Sequence, residues 1–139
     1  MMHYMPHVSR VKLDHKVERD LLKTLEFVLT RLTKEEEMNG FMLSLMTPTE
    51  RLMFSKRLAI IIMLKEGLPD SHISAILHVT RGTVARMQLF LETSRSGGYE
   101  HALRKLQNEK IVKELKEALI NLAGYAARAA GGRVKPSII

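Results

Sequence analysis

Residues 69–91 read PDSHISAILHVTRGTVARMQLFL, and their rhythm decides the fold. Pro69 to Leu77 is one short helix's worth of sequence, His78 and Val79 make a turn, and Thr80 brings an N-cap hydroxyl to a second helix ending near Leu91. Ile73, Leu77, Val79, Val84 and Met87 are apolar, and Ser74 is small where two helices must approach closely. This is the spacing of a helix-turn-helix, in which two helices pack around an apolar wedge and the second can enter the major groove of DNA. The turn position often filled by glycine holds His78, a residue type that tolerates positive φ better than most.

The outward residues of the second helix are Arg81, Gly82, Thr83, Ala85 and Arg86, and no acid lies between Asp70 and Glu92. Arginine can grip guanine or phosphate with two hydrogen bonds, threonine can donate to phosphate, and small side chains at Gly82 and Ala85 let the backbone approach the groove. Thr80 and Ser71 fall where phosphates would lie, which completes the expected DNA-binding set. The same pattern also fits a helical hairpin inside an all-α bundle with two solvated arginines.

Upstream, Thr47-Pro48-Thr49-Glu50 marks a helix start, with a capping hydroxyl at Thr47, proline at the first helical position and Glu50 placed to close a capping box. That helix is expected to reach Glu66 and stop at Gly67. Its residues 58–64 are apolar all round, so it needs cover on more than one side, which in so short a chain points to a partner subunit. A central helix of a monomeric bundle would answer the same need. Leu21, Leu22, Leu25, Val28, Leu29 and Leu32 keep helical spacing in a helix starting near Asp14, and Glu35 to Glu37 suit the first turn of a shorter one running to about Leu45. Downstream, Leu103, Leu106, Val112, Leu115, Leu119 and Leu122 predict one long helix over about 99–130, with Glu109 four residues before Lys113 on its outer face.

The expected architecture is therefore all-α, with about six helices. Residues 1–13 read as a flexible segment, 14–130 as a single helical domain and 131–139 as a basic tail. The 139 residues include no cysteine, which excludes disulfides and thiolate chemistry and fits a cytoplasmic setting. The longest apolar run spans seven residues, 58–64, far short of the roughly 18 that a membrane-spanning helix requires. The net charge is +7, with the excess concentrated in the last third, and the pI of about 9.9 favours a polyanionic partner or a surface kept basic for solubility.

A resemblance runs through Met46-Thr47-Pro48-Thr49-Glu50-Arg51, Lys56-Arg57-Leu58, residues 73–77 and Thr83-Val84-Ala85-Arg86. Together these stretches resemble the tryptophan repressor superfamily. The chain is especially similar to its tryptophan-repressor-like branch, in which a segment of the Gly97-Gly98-Tyr99 type follows the recognition helix. The similarity covers roughly residues 14–106. It implies an interlocked homodimer that binds a near-palindromic operator in double-stranded DNA through two helix-turn-helix heads. It also implies an effector pocket, to which Thr47, Arg57, Thr83 and Arg86 correspond by residue type. Met87 and Phe90 depart from the pattern, standing where tryptophan-responsive members keep small residues. Met87 is expected to fill from within the space an indole ring would take, leaving Arg57 and Arg86 for phosphate or an acidic neighbour.

The expectation is thus a DNA-binding transcription regulator, of repressor type and not tryptophan-responsive, without catalytic residues, cofactor or membrane partner. A small-molecule effector is left open. The alternative is a helical interaction or scaffold module whose basic C-terminal helix docks on an acidic partner. His3 and His7 could sit one helical turn apart as metal ligands, but they lack further ligands nearby, and no metal site is expected. The nine methionines at helical spacings read as core.

Overall fold

In the computed structural model, which describes residues 10–94 and 97–129, the stretch 69–91 forms two helices joined at a left-handed residue, as expected. The chain as a whole divides into two compact units, with the boundary between Pro48 and Thr49. His3, His7 and the basic tail lie outside the described residues.

The first unit holds α1 (His15–Arg31) and α2 (Glu35–Leu45). Asp14 caps α1, its carboxylate accepting hydrogen bonds from the amides of Lys16 and Val17 at 3.1 and 3.4 Å. Neither helix buries a single residue, and Leu21, Leu22, Phe27, Leu43 and Leu45 are all exposed.

The second unit begins with α3 (Pro48–Lys65), which ends in a Schellman motif. Gly67 takes φ +80°, its amide donates to the Leu64 carbonyl at 3.0 Å, and the Leu68 amide donates to the Met63 carbonyl at 3.1 Å. Then follow α4 (Asp70–Leu77), α5 (Arg81–Thr93), α6 (Gly98–Leu106) and α7 (Lys110–Ala129). Ile73 of α4 and Val84 of α5 are fully buried in one cluster with Ala59, Ile60 and Met63 of α3, Leu68, and Leu119 and Ala123 of α7. Leu77, Val79 and Met87 pack against it, so the whole expected wedge is assembled.

Two expectations are corrected. The long C-terminal helix is divided in two, and the described residues form seven helices. Gln107 to Glu109 break it, and Glu109 stands at the start of α7, its carbonyl accepting from the amides of Val112 and Lys113 at 3.1 Å each. Asn108 is the physical reason, since a short amide side chain competes with the backbone and favours caps and turns over helix interiors. The second correction concerns residues 58–64. Ala59 to Met63 are buried within the chain itself, and only Leu58 remains largely exposed. The run from Ala59 to Met63 is therefore covered within the chain, where α7 brings Leu119 and Ala123 onto the same cluster as Ile60 and Met63, while Leu52, Met53, Phe54 and Leu58 of α3 stay exposed.

Candidate nucleic-acid interface

The geometry of the turn is set by His78, which sits at φ 52°, ψ 50° after the last residue of α4. Left-handed backbone costs an L-residue roughly 1–2 kcal/mol, so the surroundings must hold it there. They do so from Ser74, whose carbonyl accepts from the Val79 amide at 3.2 Å and whose hydroxyl donates to the Val79 carbonyl. A part-buried serine thus ties both polar groups of the residue that leads into α5.

Thr80 caps α5. Its hydroxyl accepts from the Thr83 amide at 3.1 Å and shares a second hydrogen bond with the Thr83 hydroxyl at 2.9 Å. The Arg86 guanidinium reaches the same Thr83 hydroxyl at 3.5 Å. Gly82, Ala85 and Arg86 are exposed, Thr83 is half-buried beneath them, and Ser71 is exposed in the first turn of α4. A Cβ on Gly82 would meet only the Thr80 hydroxyl at 3.9 Å, so nothing inside the chain demands glycine there.

Arg81 is exposed, and it also has a partner within the chain. Its guanidinium is paired with Asp70, with Nη2 at 3.2 Å from Oδ1 and 3.3 Å from Oδ2, and Nε at 3.4 Å from Oδ2. Sequence reading missed this pair because Asp70 opens α4 and Arg81 opens α5; the turn alone brings them together.

Behind the exposed face of α5 lies a cavity of about 530 Å³. Lys56 and Arg57 of α3 and Arg86 of α5 supply its cations, while Met53, Met87, Phe90 and Tyr99 supply much of its apolar wall. Met87, which the sequence reading expects to take the space of an indole ring, is half-buried in that wall. Arg57 also stacks over Phe54, its guanidinium 5.7 Å from the ring centre. Thr47 stands just before α3, in the first unit. Lys56 and Tyr99 were not singled out as site residues from sequence. The signal for Tyr99 was present in the glycine pair before it: Gly97 adopts φ +60°, and Tyr99 meets Phe90 edge to face at 6.4 Å.

The family model for the Trp repressor protein matches residues 20–107, nearly two thirds of the chain. The chain belongs to the Trp repressor family. No curated protein and no solved structure matches it. The family is one of helix-turn-helix transcription regulators, not of enzymes. The Trp repressor match contains both helices of the motif and ends one residue after α6, so α7, which completes the core, lies wholly beyond it. Among the described residues no helix is long and apolar enough to cross a membrane.

Proposed function

We propose that this protein is a cytoplasmic, homodimeric, sequence-specific DNA-binding regulator of repressor type that inserts α5 into the major groove. The observation that carries this reading is the face of α5 itself. Gly82, Ala85 and Arg86 are exposed on a helix free of acids until Glu92, and Thr80 and Thr83 gather hydroxyls at its N-terminus. The helix is held on a fully buried Ile73–Val84 wedge, so its angle to the body is fixed before DNA arrives. Ser71 and Thr80 serve phosphates, Arg86 reads or clamps, and Arg81 joins them once phosphate replaces the Asp70 carboxylate.

Dimerisation rests on α1 and α2, which leave Leu21, Leu22, Phe27, Leu43 and Leu45 exposed, and on family membership. Residues 14–130 then form one interlocked domain in the dimer, and two-fold symmetry sets the heads about 34 Å apart, one turn of duplex. The operator is accordingly near-palindromic.

The scaffold alternative loses support from α7. Lys116 is paired with Glu66 at 2.8 Å, so that charge is already matched within the chain. A fluorescence titration with genomic and shuffled duplexes tests the two readings. Tight binding that distinguishes sequences is expected; no binding to either duplex at low salt would favour the scaffold.

Tryptophan is not the effector in this reading. Met87 and Phe90 put long side chains on the cavity wall at positions that tryptophan-responsive relatives keep small. Arg57, Arg86 and Thr47 then serve phosphate contacts or neighbouring groups.

A further inference from the structure

One face of α7 turns inward and places Leu119 and Ala123 in the core. A second apolar stripe, roughly a third of a turn around the helix, is made of Ile111, Leu115, Ala118, Leu122 and Tyr125, and every one of them is exposed. Ile111 and Tyr125 are each 75% accessible. The intervals are four, three, four and three residues, the alternation that keeps a seam facing a second helix along its length. A solvated helix face has no reason to keep that register.

The residues beside the stripe identify the occupant. On its inner side lie Val112, half-buried, and Leu119, buried in the chain's own core, so that flank offers a second helix no charge. On its outer side lie Glu114, Asn121 and Arg128, each seven residues from the next. Two parallel helices would join this outer flank of one to the inner flank of the other, setting Glu114 against Leu119. Two antiparallel helices join outer flank to outer flank, setting Glu114 against Arg128 and Asn121 against its own copy on the two-fold axis. In the same register Leu115 meets Tyr125 and Ala118 meets Leu122, so a large side chain faces a small one at the centre.

We propose that this face of α7 is a self-complementary docking surface whose occupant is α7 of a second copy of the chain, packed antiparallel about an axis at Asn121. Charge complementarity selects both partner and direction: each pairing makes two Glu114–Arg128 contacts between copies. The Lys110–Glu114 contact within α7 is 3.6 Å long and highly exposed, so it holds Glu114 only weakly. The surface lies beyond the family match and involves neither α5 nor DNA, so it goes beyond the proposed regulatory function.

The chain has no cysteine, which makes a single introduced thiol a clean reporter. Asn121→Cys in the full chain, treated at micromolar concentration with a short bis-maleimide, is expected to give a covalent dimer. Lys113→Cys, exposed on the polar side of α7, is expected to give little. Adding Leu122→Glu or Glu114→Arg to Asn121→Cys should abolish the product, and combining Glu114→Arg with Arg128→Glu should restore it. The Lys110 contact is lost in both swapped proteins, so it cannot account for recovery, and circular dichroism checks that each variant keeps its helices. Equal linkage at positions 113 and 121, no linkage at 121, or a product indifferent to Leu122→Glu and to the charge swap would each overturn the proposal.

Discussion

Arg81 Nη2 lies 3.2 Å from Asp70 Oδ1, tying the first residue of α5 to the first residue of α4 across the turn. The pair is well exposed, with Arg81 at 68% and Asp70 at 38% side-chain accessibility, so it adds little to stability. Under the proposed function its larger effect is expected on DNA, because a carboxylate beside the N-terminus of α5 would repel phosphate and occupy the arginine proposed to meet it. Asp70→Asn is expected to change thermal stability by less than about 1 kcal/mol. It should tighten duplex binding, and the combination of a melting curve with a binding titration checks both. Weaker binding with unchanged folding would show that Asp70 orients Arg81 for DNA.

Among the described residues Arg86 has no carboxylate partner comparable to that of Arg81. Arg86→Ala should leave the fold intact and weaken DNA binding. If its contact is to phosphate, the log-log dependence of affinity on salt should become shallower by roughly 0.9. If it reads a base edge, the slope should hold and discrimination between duplexes should fall. A salt series on two sequences separates these outcomes, and wild-type affinity on both would remove Arg86 from the interface.

At His78 the left-handed backbone is imposed on a residue with a Cβ. His78→Gly removes that strain but frees the unfolded chain, so a net gain of about 0.5–1 kcal/mol is expected from chemical denaturation. DNA affinity should not change. A loss of stability would mean that the imidazole makes contacts worth more than the strain.

Leu119→Ala should cost about 2–5 kcal/mol, as for other buried leucines truncated in a core. The position lies beyond the family match, yet it shares a cluster with Ile73 and Val84 of the helix-turn-helix. Denaturation of this variant should therefore release the DNA-reading helices along with α7. A transition in which α7 melts first, leaving α4 and α5 protected from hydrogen exchange, would contradict the shared core.

Calorimetry with L-tryptophan is expected to show only heat of dilution, and operator affinity should be indifferent to added tryptophan. The remaining cavity makes this a demanding test, because Met87 and Phe90 line about 530 Å³ without closing it. Saturable micromolar binding that also tightened DNA affinity would overturn the reading.

The helix-turn-helix was legible because its signals are local. Thr80 as a cap, His78 as the turn residue and the Ile73–Val84 wedge each follow from residue type at short spacing, and all three are found in place. The division of the C-terminal helix was harder to see, since apolar spacing continues through Leu106, Val112 and Leu115 across a break made by Asn108. Burial of Ala59 to Met63 was invisible for another reason: part of the cover over their cluster comes from Leu119 and Ala123, some sixty residues away in sequence. The Arg81–Asp70 pair and the open cavity behind α5 likewise exist only once the helices are packed.

The dependence of the helix-turn-helix on α7 also imposes an order on synthesis. A ribosome releases Ile60, Ile73 and Val84 well before Leu119 and Ala123, residues of the same cluster. At about 5–20 residues per second, the 39 residues from Val84 to Ala123 take roughly 2–8 s to translate. For those seconds the nascent chain carries both reading helices with their apolar undersides incompletely covered, the form in which chaperones and proteases would meet it. The packed form of the helix-turn-helix thus becomes available only to a chain translated past Ala123.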